Sequence, residues 1–264
     1  MSQIFAQQNS SEIVMSGSDK MSKVRLAMIQ TASKLLDKAY NLDRAEELIR
    51  MAAAKGGQIM CLPELFACGY YLPALGEHLD ELCEERNGET VTRLRKLSKE
   101  LGVAICAGVM LRGQGGVVNG AVLTDKNGQA YFYSKQHMFG DEGKFFISEG
   151  GFVTAETGFG NMGVIICFDN NFPEPAAECA KMGAELVLCP CAWREQDKAL
   201  FKEMTTSHAK ENGVYLCSVN MFGQFEELKL FGGSLTADPS GNIIAECSEG
   251  EDVALCDIEL PSGN

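Results

Sequence analysis

Short apolar runs alternate with helical patterns along the N-terminal part of the chain. The runs at 24–30 and 58–65 are rich in aliphatic and β-branched residues, which predicts two buried strands. Between them, apolar residues recur at helical spacing over 41–57, and Gly56 supplies a stop signal for that helix. The same spacing predicts a second helix over 91–101. The predicted order is therefore strand, helix, strand, helix.

The rest of the chain adds further strands, two helices and two hairpins. Asn127-Gly128 lies between two β-rich runs and predicts a tight turn, as does Asp-Pro-Ser-Gly at 238–241. Several of the apolar runs have no polar face, which indicates sheets that are covered on both sides. The pattern predicts an α/β fold in which helices cover mixed sheets. The strands are predicted at 102–111, 163–168, 185–191, 214–221 and 253–260, and the helices at 172–184 and 195–213.

No composition break or internal repeat divides residues 23–264, so we expect a single domain there. Residues 1–22 are polar and rich in serine and glutamine, and we expect them to form a flexible tail. The segment 158–163 matches G-x-G-x-x-G, but it precedes a predicted strand instead of following one and opening a helix. We interpret it as a turn before a strand and not as a dinucleotide site.

The net charge of the chain disfavours some classes of function. The chain carries 23 Lys and Arg against 36 Asp and Glu, a formal charge of −13. Phosphate backbones and anionic lipids repel such a chain, which disfavours nucleic-acid and membrane-surface functions. No apolar run has the roughly 18 residues of a membrane span, and the N-terminus has no secretory signal pattern. We therefore expect a cytoplasmic protein.

The chain has eleven cysteines, an odd number, whereas a secreted disulfide framework would be shorter and even-numbered. Most of them, such as Cys61, Cys106, Cys217 and Cys256, lie inside apolar runs, where a reduced thiol behaves as a small buried hydrophobic group. The chain has no C-x-x-C, and the Cys-Pro-Cys at 189–191 lacks the spacing of zinc ligands. We expect no metal site and no organic cofactor.

Cys167 differs from the other cysteines in its context. It ends the apolar run 163–168 and is followed by a polar break and a predicted helix. A nucleophile at such a turn is held rigidly at the carboxyl edge of a sheet, and the following backbone N–H groups can stabilise an oxyanion. From local context alone, a buried structural cysteine is an equally good interpretation.

Two charged residues in apolar surroundings are candidate partners for a thiol nucleophile. Glu64 lies in the sequence CLPELF, where a carboxylate must be paired or have a raised pKa, as a general base requires. Lys135 closes a strand of the first hairpin beside aromatic residues and is suited to balancing a buried carboxylate. A structural ion pair and an ordinary surface lysine are the alternatives. A Cys–His dyad with His208 or His137 is the competing way to activate the thiol.

Together, the segments PELF, YSKQHMF and GVIICFDNNFPE resemble the nitrilase superfamily of carbon–nitrogen hydrolases in order and spacing. The resemblance extends over about 24–260. It implies an α-β-β-α sandwich and a catalytic Glu, Lys and Cys at Glu64, Lys135 and Cys167. It also implies pairing into homodimers or higher homo-oligomers.

The resemblance extends to weaker site assignments. A second glutamate of the family corresponds to Glu142, with Asp141 as a rival. Tyr70 resembles a pocket tyrosine, and Trp193 resembles a pocket aromatic residue, although a packed core tryptophan is almost as good an interpretation. The backbone N–H of Phe168 is the expected oxyanion donor. The list of expected substrate contacts is Tyr70, Phe168, Asn171 and Trp193.

The residues after Cys167 bear on the substrate. Nitrilases proper resemble C-W-E at this point, whereas Phe168-Asp169 and the following FPE resemble the amidase and carbamoylase branches. Hydrolases of carbamoyl-D-amino acids carry arginines just after the cysteine, but this chain has Asn170-Asn171, with Arg194 as the nearest rival cation in sequence. We expect hydrolysis of a small neutral or cationic amide or ureido compound through a thioester. A nitrilase, an acyltransferase and a non-catalytic binding protein are the alternatives.

Overall fold

The computed structural model describes residues 21–261. This part of the chain contains fourteen strands, six α-helices and three short 3-10 helices. The strands are β1 (Met21–Gln30), β2 (Ile59–Cys61), β3 (Ala104–Arg112), β4 (Val117–Thr124), β5 (Ala130–Ser134), β6 (Val153–Glu156), β7 (Asn161–Val164), β8 (Leu186–Cys191), β9 (Tyr215–Asn220), β10 (Phe222–Phe225), β11 (Leu228–Phe231), β12 (Leu235–Ala237), β13 (Ile243–Glu246) and β14 (Asp252–Pro261). The α-helices are α1 (Lys38–Ala54), α2 (Leu72–Glu77), α3 (Leu79–Leu82), α4 (Glu89–Leu101), α5 (Pro173–Lys181) and α6 (Lys198–Asn212), and the 3-10 helices are Gly140–Lys144, Cys167–Asn171 and Glu195–Asp197.

Most strands belong to two six-stranded mixed sheets. The first has the order β14-β1-β2-β3-β4-β5, and the second has the order β13-β12-β9-β8-β7-β6. In each sheet the three central strands, β1 to β3 and β7 to β9, run parallel, and the flanking strands pair antiparallel. Strands β10 and β11 form a separate hairpin.

The main core lies between the two sheets. Side chains from both sheets, such as Leu26, Ile59, Val164 and Leu188, are buried in one continuous apolar cluster. A second cluster fills the space between the first sheet and helices α1 and α4. Helices α5 and α6 contact β7 and β9 of the second sheet. These layers confirm the predicted α-β-β-α sandwich, because each sheet packs one face on its neighbour and the other on helices.

The predicted elements differ from the observed ones mainly at their ends. Strand β2 stops at Cys61, not at residue 65, and Pro63 in the following segment cannot donate a ladder hydrogen bond. Strand β1 starts at Met21, inside the segment predicted as a tail, because Met21 and Ser22 pair with the end of β14. The rest of that predicted tail, 1–20, lies outside the described residues. The glycine-rich segment at 158–163 completes the turn after β6 and begins β7, which agrees with its interpretation as a turn before a strand.

Both predicted hairpin turns are present, with Gly128 and Gly241 at positive φ in them. Ten of the eleven cysteines are buried, and Cys256 is the one that remains partly exposed. No helix within residues 21–261 is long and apolar enough to cross a membrane.

Candidate active site

The candidate residues follow strands that all end at one edge of the sandwich. Glu64 follows β2 and Cys167 follows β7, and both strands are central parallel strands. Lys135 directly follows β5, which runs in the same direction as β3 because β4 lies antiparallel between them. The two sheets meet at this edge, since the Glu64 N–H donates to the carbonyl oxygen of Cys191 at the end of β8 (3.4 Å). This topology brings together residues that are far apart in sequence.

Lys135 lies between two buried carboxylates. Its Nζ is 2.8 Å from Glu64 Oε1 and 2.8 Å from Glu142 Oε1, and all three side chains are fully buried. A buried ammonium and two buried carboxylates are stable only with such pairing and with further hydrogen bonds. The predicted pairing of Glu64 with Lys135 is therefore present in the structure.

Further donors complete the hydrogen bonding of the two carboxylates. Asn119 Nδ2 donates to Glu64 Oε1 (2.7 Å), and the Tyr70 hydroxyl donates to Glu142 Oε1 (2.7 Å). The backbone N–H of Phe139 donates to Glu142 Oε2 (2.7 Å). Glu64 Oε2 is buried and has no hydrogen-bond partner within residues 21–261. One oxygen of Glu64 is thus held by Lys135 and Asn119, and the other is left to accept a proton.

Burial and charge shift the pKa values of these groups in different directions. Burial raises the pKa of Glu64 above its usual range, and Lys135 only partly offsets this. Burial by itself would lower the pKa of Lys135, but the charges of Glu64 and Glu142 outweigh it and hold that pKa well above its usual value. Lys135 is therefore a permanent cation, and Glu64 is a carboxylate with increased affinity for a proton.

Cys167 begins a 3-10 turn in a strained backbone conformation. Its φ is +48°, which is uncommon for any residue other than glycine and is characteristic of constrained functional sites. The buried carboxylate of Asp169 fixes the turn by accepting hydrogen bonds from the backbone N–H of Ile166 (3.0 Å) and from that of His137 (2.9 Å). The Tyr133 hydroxyl also donates to Asp169 (2.8 Å). The turn that carries Cys167 is thereby attached to the segment that follows Lys135.

The Cys167 side chain borders two adjoining cavities. The smaller cavity measures about 110 Å³, and its lining includes Phe168, Asn171 and Trp193. The larger cavity measures about 450 Å³, and its lining includes Tyr70. Burial raises the pKa of the Cys167 thiol, while a hydrogen bond from Cys191 and the charge of Lys135 oppose that rise. The thiol therefore needs a base to ionise at neutral pH.

The structure separates the rival candidates. Glu142 is buried on Lys135, whereas its rival Asp141 is exposed and pairs with Lys144 (2.9 Å). His137 hydrogen-bonds to Asp169 (3.0 Å), and His208 hydrogen-bonds to Asn170 (3.1 Å). Neither histidine bond goes to Cys167, so the geometry does not favour a Cys–His dyad.

The predicted substrate contacts are brought together beside Cys167. Tyr70, Phe168, Asn171 and Trp193 all line the cavities beside Cys167. Asn170 does not, because it turns inward and donates to Thr205 (3.3 Å). Asn170 was not among the expected substrate contacts and was used, with Asn171, only to show that no arginine pair follows Cys167. Trp193 was interpreted either as a pocket aromatic residue or as a packed core tryptophan, and it is both. It lines the smaller cavity, and its ring packs edge-to-face on Phe201.

Sequence reasoning missed two residues of this centre. Asn119 is a fully buried polar residue inside the all-buried strand β4, which is an available signal because such a side chain must be hydrogen-bonded. Asp169 was quoted only as part of a motif, although a carboxylate directly after an apolar run also requires partners. Within residues 21–261 no cluster of three or more His, Cys, Asp or Glu side chains is arranged to hold a metal ion.

Gly108 of β3 gives a test of how tightly Glu64 is positioned. A Cβ at Gly108 would collide with the Cα of Glu64 and lie 2.7 Å from the backbone nitrogen of Leu65. We expect Gly108→Ala to displace Glu64 and to lower kcat/KM by about 10²-fold, the cost of a displacement near 1 Å. Gly143→Ala is the matched control, because a Cβ there meets no atom within 4 Å. Equal activity of the two variants in a steady-state assay would contradict this positioning.

Comparison with known proteins identifies the class to which this fold and site belong. The carbon-nitrogen hydrolase profile matches residues 25–263, nearly the whole described chain. The chain therefore belongs to the carbon–nitrogen hydrolase family, and its resemblance to the nitrilase superfamily is confirmed.

Individual relatives cover most of the chain. A nitrilase of Pyrococcus abyssi is 33% identical over 240 residues, which is 90% of this chain and 90% of that protein. An N-carbamoylputrescine amidase of Arabidopsis thaliana is 31% identical over 83% of this chain and 81% of its own length. Among solved structures, a CN-hydrolase superfamily protein of Xanthomonas campestris superposes with a TM-score of 0.82 at 26% identity, covering 90% of this chain and 91% of that one. An amidase of Nesterenkonia has a TM-score of 0.79 at 26% identity, with 89% and 90% coverage.

Proposed function

We propose that this carbon–nitrogen hydrolase cleaves the C–N bond of a small amide or N-carbamoyl compound, with Cys167 as the nucleophile. The observation that carries the proposal is the position of Lys135 between Glu64 and Glu142, next to a strained cysteine that borders a cavity. An ammonium fixed beside a carboxylate with one free oxygen supplies both an electrophilic group and a general base.

The first half of the reaction forms a thioester. Glu64 Oε2, which has no other partner among the described residues, takes the thiol proton of Cys167. The thiolate attacks the carbonyl carbon of the substrate, and Lys135 together with the Phe168 backbone N–H stabilises the oxyanion. Glu64 returns the proton to the leaving nitrogen, and ammonia or an amine departs. The raised pKa of Glu64 suits both steps, because a carboxylate with an increased affinity for protons accepts the thiol proton more readily and can return it to the leaving nitrogen.

The second half hydrolyses the thioester. Glu64 removes a proton from a water molecule, the hydroxide attacks the acyl carbon, and the Cys167 thiolate leaves. Glu142 acts on Lys135, since its Oε1 lies 2.8 Å from Nζ and holds the ammonium in place together with Glu64. Glu142 is a positioning residue in this scheme and needs no contact with the substrate.

A substrate panel with ammonia detection tests the proposed reaction. We expect turnover of amides or ureido compounds and little turnover of the corresponding nitriles. The nitrilase relative favours the nitrile alternative, and faster nitrile turnover would support it against the proposal. Transfer of the acyl group mainly to an added amine, with little free acid formed, would instead support the acyltransferase alternative.

The charges around the cavities favour a neutral or cationic substrate. Arg194, the rival anchor for an anion, pairs with Asp197 (2.6 Å) and lies over the Phe139 ring. Lys229, at the entrance of the larger cavity, pairs with Glu195 (2.8 Å). Neither cation is therefore left to form the bidentate contact that a substrate carboxylate would need.

Comparison of matched substrates tests this charge preference. We expect kcat/KM for an uncharged or amine-bearing carbamoyl compound to equal or exceed that for a carbamoyl amino acid. Arg194→Gln should leave this ratio nearly unchanged, because Arg194 is already paired with Asp197. A preference of more than about tenfold for the acid, equivalent to roughly 1.4 kcal/mol at the transition state, would contradict the inference and point to Arg194.

We further propose a cytoplasmic protein that forms at least a homodimer. All eleven cysteines are free, which supports a reducing compartment. The resemblance to the family supports pairing, and a partner on the α5–α6 layer would bury Met182, at the end of α5, and Leu200, on α6, which are 46% and 40% exposed. We expect light scattering at micromolar concentration to give a mass of at least twice 28.6 kDa. A particle of 28.6 kDa would contradict the dimer.

A further inference from the structure

A second cysteine lies beside Cys167 on the neighbouring strand. Strands β7 and β8 are parallel, and their register pairs Val164 with Leu188. The Ile165 N–H donates to the Leu188 carbonyl (3.1 Å), so the pairing extends past the end of β7. Continued by the same step, this register places Cys167 opposite Cys191.

Cys191 is also the group that most strongly opposes the rise in the Cys167 pKa caused by burial, which requires the two thiols to lie close together. Cys191 is fully buried behind the site, whereas Cys167 is 7% exposed and borders both cavities. A small reagent entering the cavities therefore meets Cys167 first and Cys191 second.

The separation of the two backbones suits a covalent bond. Neighbouring strands lie about 4.8 Å apart, and disulfides join Cα atoms that are roughly 4.4–6.8 Å apart. Because the register places Cys191 opposite Cys167, the bond requires rotation of side chains and little movement of backbone. Cys191 is the last residue of β8, and Cys167 borders a cavity, so rotation of the Cys167 side chain is less hindered than rotation inside the core.

We propose that Cys191 is a resolving cysteine, which converts peroxide-oxidised Cys167 into a Cys167–Cys191 disulfide that reversibly inactivates the enzyme. The proposal rests on the reactive thiol assigned to Cys167 in the proposed function. It assigns a role to Cys191, which takes no part in the hydrolytic steps above.

The chemistry balances with one peroxide and two thiols. The Cys167 thiolate attacks one oxygen of hydrogen peroxide, the O–O bond breaks, and the departing hydroxide takes the thiol proton from Glu64 and leaves as water. The Cys191 sulfur then attacks the sulfenic acid, the S–O bond breaks, and the leaving hydroxide takes the Cys191 proton as a second water. The two thiols together lose two electrons, and these reduce one hydrogen peroxide molecule to two water molecules. A dithiol reductant reverses the result by exchange.

Cys189 is the nearby cysteine from which Cys191 must be distinguished. Its sulfur lies 3.4 Å from Cys191, but it is two residues further from the strand end and its described sulfur contact is with Cys191 alone. Without Cys191, we expect the sulfenic acid at Cys167 to be oxidised further to sulfinic acid, which a dithiol does not reduce.

Hydrogen peroxide treatment of the full chain, followed by mass spectrometry, tests the proposal. In the wild type we expect the loss of two hydrogen atoms and a disulfide between the peptides containing Cys167 and Cys191, with fragmentation used to separate Cys191 from Cys189. Activity should fall and then recover in dithiothreitol. In Cys191→Ser we expect two added oxygen atoms on Cys167 and no recovery. Cys217→Ser, which removes a buried cysteine from β9, should behave as the wild type does.

Three results would overturn the proposal. In the first, Cys167 of the wild type gains two oxygen atoms and no disulfide forms. In the second, Cys167 forms its disulfide with Cys189. In the third, oxidised Cys191→Ser recovers its full activity in dithiothreitol. The disulfide map needs no variant, so it remains decisive if Cys191→Ser folds poorly. A Cys167–Cys191 disulfide in a protein that hydrolyses no amide or ureido compound would support this proposal and count against the proposed function.

Discussion

Replacement of Cys167 by alanine should reduce amide turnover by at least about 10⁴-fold while the protein remains folded. The Cys167 sulfur forms the bond to the acyl carbon of the substrate, and no other described side chain that lines these cavities can form a thioester. The substitution removes one atom at the edge of a cavity, so we expect it to cost only about 1 kcal/mol of the free energy of unfolding. Steady-state kinetics and a denaturant melt measure the two effects.

Other cysteines provide the control for this prediction. Cys61 and Cys217 are fully buried in β2 and β9 and pack between the sheets. Their alanine variants should lose about 1–2 kcal/mol of stability and keep most of the activity, because only packing is lost. A loss of activity in Cys61→Ala or Cys217→Ala comparable to that in Cys167→Ala, with unchanged folding, would contradict the assignment of the nucleophile.

Replacement of Lys135 by methionine should abolish activity and also destabilise the fold by about 3–5 kcal/mol. Methionine fills a similar volume but leaves Glu64 and Glu142 buried together without a cation. The pKa of Glu64, already raised by burial, should then rise further above its value in the unfolded chain. The folded variant therefore binds more protons than the unfolded chain does.

The difference in proton binding between the folded variant and the unfolded chain determines how the destabilisation changes with pH. The destabilisation of Lys135→Met relative to wild type should be smallest below the ordinary glutamate pKa of about 4.3 and should grow as pH rises towards the folded-state value. The double variant Lys135→Met, Glu142→Gln removes one of the two charges, so it should regain part of the stability without regaining activity. Denaturant melts across pH provide the measurement, and a destabilisation independent of pH would contradict the buried triad.

The layers of the fold could be predicted because several strands are apolar on both faces. The runs at 163–168 and 185–189 have no polar face and correspond to β7 and β8 of the second sheet. The hairpin β10–β11 was missed because its sequence is polar and glycine-containing, with only Phe225, Leu230 and Phe231 buried. Strand β2 was predicted too long, since apolar content alone does not show where pairing ends.

The chemistry-bearing residues of the site could be predicted, but their partners could not. Glu64 and Lys135 are charged residues in apolar segments of the sequence. A buried charge must be paired, so these segments indicated that each side chain has a partner. Asn119 bonds to Glu64, and Asp169 bonds to Tyr133 and His137, which are distant in sequence, and those bonds depend on how the strands associate. The inward rotation of Asn170, away from its neighbour Asn171, follows from the tight 3-10 turn after Cys167, which the strand pattern did not reveal.

The central claim is that hydrolysis passes through a thioester on Cys167, and partitioning with hydroxylamine tests it most directly. An amide and an ester with the same acyl group should give the same ratio of hydroxamate to free acid at a fixed hydroxylamine concentration, because both form one acyl-enzyme before the acceptor enters. The Cys167→Ala variant should form neither product. A ratio that changes with the leaving group, in an enzyme that turns over both substrates, would show that no common thioester exists and would contradict the account.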